Sequence, residues 1–434
     1  MLSKLPTVVI GAGPVGLAAA AHLNAYNQRF LILEKGGNAG SNILEWGHVQ
    51  LFSPWEFNID ESAKKLLHQT DWNEPDAQKL PTGEELVTEY LKPLANLPQI
   101  KENLVYNAEV LTITKKNIDK MKSASREELP FVLYVLINNT VEKIEARAVI
   151  DATGTWNNPN PPFADGVWRT DGLNKKLHTH IPDFSKAEEL FKNKHVAVIG
   201  SGHSALNSLN DLNELKDKYP ATNISWIVRK QHAQEAFGGE KNDELAARGK
   251  LGSTTHQLVD NGQINVHSNF YVEEINEHDG SFEIQSSEGF TISEVDEIIV
   301  NTGARPDFSF LNEMRLDVSP IVESTKELAP LIDPNLHSCG TVRPHGEKEL
   351  RQSEKGFYIV GVKSYGRAPT FLMTTGYEQV RSISAYLSGD YEEAKKVKLK
   401  LPETGVCQVN PSPRQLPLSG SESKGGCRSK RNSC

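Results

Sequence analysis

Residues 7–16 read Thr-Val-Val-Ile-Gly-Ala-Gly-Pro-Val-Gly, and no other stretch limits the fold as strongly. Four residues rich in β-branched side chains predict a buried strand, and Leu17-Ala-Ala-Ala-Ala-His-Leu after Gly16 predicts a helix. Between them, Gly11-x-Gly13-x-x-Gly16 supplies the turn. Gly11 permits the bend, Gly13 lets backbone approach a pyrophosphate, and Gly16 lets the helix lie close on the strand. The helix then offers unpaired N–H groups and its positive dipole end to the phosphates. Pro14 suits this first helical turn, where its missing N–H would have had no partner. A second strand, Phe30-Leu-Ile-Leu, ends on Glu34 and Lys35. A carboxylate there accepts hydrogen bonds from ribose hydroxyls and repels a 2′-phosphate, so both residues are expected at a dinucleotide.

The same plan recurs later in the chain. His195-Val-Ala-Val-Ile leads into Gly200-x-Gly202-x-x-Ala205, with His203 and Ser204 opening a helix expected through about Leu215. The following strand, Ile224-Ser-Trp-Ile-Val, ends on Arg229 and Lys230 where the first repeat has Glu34. Two cations there attract a 2′-phosphate and point to NADPH rather than NADH, although a solvated charge pair would read the same way. The first repeat closes on a buried strand ending in Asp151-Ala-Thr153-Gly154, and the second on Asn301-Thr302-Gly303. Glycine at such a strand end lets backbone pass close to a bound cofactor.

Between these landmarks the expectations are coarser. Trp46-Gly-His48-Val-Gln50-Leu-Phe-Ser-Pro-Trp55 has no clear period; it suits a loop packed over a flat ring, with His48 or Gln50 near it, or aromatics filling an interface. Ser62–His68 and Gly83–Leu97 predict helices, the second with Thr82 as N-cap and Glu85 three residues on. Glu109–Thr114, Phe131–Ile137 and Val141–Arg147 predict strands, and the charged stretch Lys115–Glu128 a solvated hairpin excursion. Thr155–Pro162 is too proline-rich for a helix or a central strand and predicts a linker. Ile264-Asn-Val, Phe282-Glu-Ile and Glu297-Ile-Ile-Val complete the second repeat. After Pro306 the chain is expected to return to the first fold through Lys355–Gly361 and a Phe371–Leu387 helix. The resulting division is 1–160, 161–305, 306–400 returning to the first domain, and a Ser/Gly-rich disordered tail over 401–434.

At 434 residues the chain exceeds one ordinary core, and 24% charged with 38% hydrophobic residues is a globular composition. A net charge of −9 with no basic patch argues against nucleic acid as a partner. No run of about 18 apolar residues is present, so no membrane span is expected, and the apolar N-terminal run belongs to the glycine turn. Four cysteines make no disulfide framework, which fits a reducing cytoplasm. Leu401-Pro-Glu-Thr-Gly405 lacks the apolar span a sorting signal needs, and no metal motif is visible.

These residues resemble flavoproteins with two dinucleotide-binding domains and, within them, flavin-containing monooxygenases, over residues 5 to about 390. Gly11, Gly13, Gly16 and Glu34 are similar to the family's FAD fingerprint, Gly200, Gly202 and Ala205 to its NADPH fingerprint, and Ala152-Thr153-Gly154 with Thr302-Gly303 to its paired interdomain motifs. Of the monooxygenase motif F-x-G-x-x-x-H-x-x-x-(F/Y) only His180-x-x-x-Phe184 is present. The resemblance implies an α/β fold of two Rossmann-like domains, the FAD domain discontinuous. It further implies an NADPH-consuming oxidoreductase that activates O₂ as a flavin C4a-(hydro)peroxide and oxygenates a soft nucleophile, with a small molecule and O₂ as partners and homodimerisation left open.

Two other readings stand beside it: a reductase or oxidase passing electrons to a quinone or a thiophilic metal or metalloid, arsenic first, and a nucleotide-bound sensor without turnover. Disulfide exchange lacks its closely spaced cysteine pair, since Cys339 stands alone and Cys407, Cys427 and Cys434 lie in the tail. Exposed tail thiolates beside Arg428, Lys430 and Arg431 could capture a thiophilic ion, or the tail could be incidental. Lys363-Ser-Tyr365-Gly-Arg367 follows the returning strand, where flavin and helix start should meet. Tyr365 and Arg367, with His48 and His180, complete the candidate catalytic groups.

Overall fold

The computed structural model describes residues 2–169, 172–336, 345–368 and 371–399. β1 (Thr7–Ile10), β2 (Phe30–Leu33) and β3 (Leu104–Val105) lie parallel. An antiparallel meander follows, β4 (Ala108–Lys115), β5 (Phe131–Ile137) and β6 (Thr140–Ala146), and then β7 (Ala148–Asp151) pairs with β1. The second unit repeats this order. β8 (His195–Ile199), β9 (Asn223–Ile227) and β10 (Asn265–His267) are parallel, β11 (Val272–His278), β12 (Ser281–Ser286) and β13 (Thr291–Val295) form a meander, and β14 (Glu297–Val300) pairs with β8. Finally β15 (Phe357–Ile359) adds to β7, giving the first sheet the order β15-β7-β1-β2-β3 and the second β10-β9-β8-β14. The chain is thus an α/β protein of two Rossmann-like units, the first discontinuous in sequence.

Alternation along buried strands decides which layer each side chain joins. In the first sheet Val9, Ile32, Ile150 and Tyr358 face the Pro14–Ala25 and Met373–Leu387 helices, while Val8, Ile10, Leu33 and Val149 face Phe131, Leu133 and Val135 of the meander. The second sheet copies this: Val196, Val198 and Ile299 pack on Leu206, Leu209 and Leu212 of the His203–Lys218 helix, and Ala197, Ile199 and Ile298 on Phe282, Ile284 and Val295. Each nucleotide-type turn therefore has a helix on one side and a small antiparallel sheet on the other.

Local signals set several helix ends. Asp60 caps Glu61–Leu67 by accepting from Ser62 N and Ala63 N, both at 2.9 Å. Thr82 and Glu85 form the expected capping box, but the helical stretch behind it passes through a π segment at Leu86–Leu91 before Lys92–Ala95. β11, β13 and an Ala246–Asp260 helix were not anticipated.

The excursion between β4 and β5 is exposed along most of its length, as a solvated excursion should be, but it carries two enclosed cations. Arg126 is buried in it, its Nε and Nη2 donating to Glu354 at 2.8–3.1 Å and its Nη2 to Glu313 O at 3.1 Å. Lys115 is buried too, donating to Leu129 O at 3.0 Å with its ammonium 3.6 Å above the Phe131 ring. Burial pushes that ammonium down to about 8. Arg126 and Lys120 tie the excursion to the returning segment.

Candidate functional site

Both glycine turns sit at the carboxyl ends of their sheets, where a helix follows the first strand of each. Gly11 and Gly200 hold φ of +100° and +137°, and a side chain on either would drive into the backbone oxygen of Ala152 (2.8 Å) or Asn301 (2.2 Å). The middle glycines differ. A Cβ built on Gly13 or on Gly202 meets nothing within 4 Å, so protein packing does not demand glycine there. Each is the N-cap of its helix and supplies no side-chain cap, which leaves first-turn N–H groups available beside an open space. That is the donor set and the room a pyrophosphate needs, and it occurs twice.

The strand ends beside the two cradles carry opposite charge. Glu34 accepts from Ala12 N through Oε2 and from Gly36 N through Oε1, both at 2.7 Å, which fixes its carboxylate against the first turn. Lys35 points away to an exposed pair with Glu109 at 2.7 Å. In the second unit Arg229 is exposed and makes no ion pair among the described residues, whereas Lys230 is engaged by Glu235 O. Ser204 is exposed at the helix start and Ala205 is buried. His203, also surface-accessible, has Phe52 of the first unit 5.1 Å from its ring. Crowding by surrounding protein and then the Arg248 guanidinium hold its pKa below the usual histidine range.

Thr153 and Gly154 follow β7 in a charged cluster that sequence reasoning missed. Lys363 Nζ donates to Asp151 Oδ2 (2.7 Å) and Thr153 Oγ1 (3.1 Å), and Thr153 donates from N and Oγ1 to Asp151 Oδ1. Both charged side chains are fully enclosed, with Phe310 across the ammonium at 4.6 Å. A lysine in the turn that follows the apolar strand β15 is the one available signal. Tyr365 is buried beside it, its ring 5.2 Å from Phe371 and its hydroxyl pKa raised by burial. Arg367 instead faces outward and donates to Glu323 at 3.0 Å.

The crossings between the units run side by side. Asn160 N donates to Gly303 O (2.9 Å), Thr302 Oγ1 to Asn160 O (2.9 Å) and Arg305 N to Asn158 O (3.0 Å). His180 stacks on Trp156 in this strap, ring centroids 3.7 Å apart at 15°, and Trp156 Nε1 donates to Glu45 at 2.6 Å. Burial holds the His180 imidazole below the usual histidine range, with Glu45 opposing. His48 keeps Nε2 enclosed without a hydrogen-bond partner among the described residues, and Gln50 is exposed, bridging to Thr82. The four catalytic candidates therefore fall into separate places: His48 on the aromatic loop, His180 at the strap, Tyr365 in the first core and Arg367 at the surface.

Among the described residues no group of three metal-ligating side chains occurs and no helix is long and apolar enough to cross a membrane. All four cysteines, and the tail from 401, lie outside the described residues.

Residues 8–340 match the profile described as pyridine nucleotide-disulphide oxidoreductase. A ferredoxin–NADP reductase of Lactococcus lactis subsp. cremoris is 24% identical over 388 residues, 88% of this chain and 94% of that protein. Flavin-containing monooxygenase FMO GS-OX-like 9 of Arabidopsis thaliana is 24% identical over 236 residues, 48% of either chain, so about half of that relative's length is spanned. In fold, bacillithiol disulfide reductase from Bacillus cereus superposes with a TM-score of 0.65 at 18% identity, covering 89% of this chain and 99% of its own. The cadaverine monooxygenase of Erwinia amylovora gives 0.61 at 14% identity over 95% and 99%.

Proposed function

The chain belongs to the pyridine nucleotide-disulphide oxidoreductase family, and from that premise we propose that it is an FAD-dependent, NADPH-consuming oxidoreductase that transfers one oxygen atom of O₂ to a soft nucleophile. The observation that carries the cofactor assignment is the pair of open cradles over Gly13 and Gly202, one beside the fixed carboxylate of Glu34 and the other beside the exposed cation of Arg229, which has no ion-pair partner among the described residues. The first-turn amides at Gly13 would hold the FAD pyrophosphate and Glu34 its ribose; those at Gly202 would hold the pyrophosphate of NADPH, and Arg229 its 2′-phosphate. FAD, when bound, supplies the acceptor for the nicotinamide hydride and the centre that reacts with O₂.

The chain's own residues bind, orient and exclude water. Asp151 and Lys363 lock the ends of β7 and β15 together, which sets the backbone of Thr153 and Gly154. Phe308 and Phe310 lie against the Lys363 ammonium, and Tyr365 packs edge-on to Phe371 in the helix-side core of the first unit. Trp156 and His180, stacked at the strap, fix where the second unit stands against the first.

Oxygen insertion is favoured over dithiol exchange because the sequence has no closely spaced cysteine pair. The test is oxygen balance: a monooxygenase couples NADPH consumption to oxygenated product when its substrate is present. Hydrogen peroxide stoichiometric with NADPH under every candidate nucleophile would overturn the reading. The 88% coverage by a ferredoxin–NADP reductase favours a second reading, electron transfer to an external acceptor. It predicts anaerobic NADPH oxidation that depends on that acceptor.

A further inference from the structure

The second cradle has a buried cation beside it that the glycine fingerprint does not include. The Ala246–Asp260 helix packs along the His203–Lys218 helix, Asn210 Nδ2 donating to Leu251 O at 3.5 Å and Thr255 Oγ1 to Asn210 Oδ1 at 3.0 Å. Nearer their beginnings the two helices meet at Phe52 of the first unit, whose ring centroid is 5.1 Å from that of His203 and 5.8 Å from Arg248 Cζ. Both helices therefore start on the same side, with Arg248 close to the turn at Gly202.

Arg248 is 7% exposed, and Asp243 takes one side of its guanidinium: Nε donates to Oδ2 and Nη2 to Oδ1, both at 2.7 Å. Asp243 is itself held by accepting from Leu245 N at 3.0 Å. A guanidinium carries five N–H donors in a rigid fork, and this pairing uses two of them. Nη1 makes no hydrogen bond among the described residues, so the fork it forms with the second Nη2 hydrogen is unused. The charge reaches the His203 ring, whose pKa it helps to hold down. A buried cation with spare donors, next to a helix start whose own amides are uncapped, suits one anion shared between them.

We propose that Arg248 is a second cation of the dinucleotide site, its unused fork donating to the diphosphate held over Gly202, with Asp243 as the residue that orients it. This rests on the reading of Gly202 as the NADPH cradle and divides the work between two cations. Arg229 would meet the 2′-phosphate and Arg248 the diphosphate.

Calorimetry of the FAD-loaded protein with NADP⁺ and with 2′-AMP, which lacks the diphosphate, separates the two. Arg248→Met should weaken NADP⁺ binding about 10- to 100-fold and leave 2′-AMP unchanged, whereas Arg229→Ala should weaken both ligands. Arg248→Met leaves the Asp243 carboxylate buried without its counter-charge, so the Arg248→Met/Asp243→Leu double variant decides should the single one fail to fold. It should show the same selective loss. Unchanged NADP⁺ affinity in the double variant, or an equal loss for 2′-AMP there, would overturn the proposal. Gly202→Val checks the reading beneath it: if that variant loses NADP⁺ while the Arg248 variants keep it, Arg248 alone is wrong, and if all of them keep it, the cradle assignment falls as well.

Discussion

Replacing Gly13 by valine separates a ligand cradle from a packing requirement. Gly13 sits at φ −79° and ψ −174°, an extended conformation open to any L-residue. Its added Cβ would meet no atom within 4 Å, so Gly13→Val should leave the FAD-free protein as stable as the parent. Gly16 is the opposite case, its Cβ falling 1.9 Å from Gly11 O, and Gly16→Ala should unfold the turn itself. With FAD present, valine methyls would stand where pyrophosphate meets the first-turn amides. Losing two charge-assisted hydrogen bonds, at about 1.5–3 kcal/mol each, removes on the order of 3–6 kcal/mol. That corresponds to roughly 10²- to 10⁴-fold weaker flavin binding. The assay is the flavin-to-protein absorbance ratio after purification, alongside thermal unfolding of FAD-stripped parent and variant. A Gly13→Val protein that stays yellow at the parental ratio would refute the reasoning. Gly202→Val supplies the mirror image: it should retain flavin and raise the Michaelis constant for NADPH.

Arg229→Ala should raise the Michaelis constant for NADPH far more than for NADH, since a lost phosphate contact is worth on the order of 1.5–3 kcal/mol; equal effects would remove Arg229 from the 2′-phosphate. Lys363→Met leaves Asp151 charged and enclosed, and chemical denaturation should show a loss of about 3–5 kcal/mol, part of which Asp151→Leu in the same chain restores. Burial, with Glu214 and Asp183 adding to it, raises the Asp211 carboxyl from 3.8 to about 7. Folding therefore favours its protonated form, and the stability present below about pH 4 is lost as pH rises towards 7. Asp211→Asn should raise the free energy of unfolding at pH 8 by about 2–4 kcal/mol, after discounting partial exposure, and leave it unchanged at pH 4.

Local grammar made the two strand–turn–helix units legible, because each is set within a few residues: β-branched strand, glycines at fixed offsets, helix formers, and a charge at the next strand end. Capping was legible for the same reason at Thr82 and Glu85. Partnerships spanning the sequence were not. Asp151 and Lys363 are 212 positions apart, and Arg126 and Glu354 are 228 apart, so Arg126 reads as part of a solvated stretch and Lys363 as part of a segment near the flavin, neither with its partner, until the return of β15 brings the partners in. Tyr365 and Arg367 lie two positions apart and invited a shared role, yet one enters the core while the other turns to Glu323. In Trp46–Trp55 density of aromatics gave no direction; the structure spreads Trp46 towards Trp156, Phe52 towards His203, and Trp55 into the first core.

The pairing of β15 with β7 also gives the chain a timetable. As it emerges from the ribosome, all four strands of the second sheet are complete at Val300, while the first sheet still awaits Phe357–Ile359. Lys363, the counter-charge to Asp151, arrives later still. The unit begun first is thus finished last, and for the intervening stretch β7 presents an unpaired edge and an unneutralised acid. Asn160 and Gly303, hydrogen-bonded where the chain enters and leaves the inserted unit, let that unit close on itself before the outer one does. Birth order and assembly order run in opposite directions along this polypeptide.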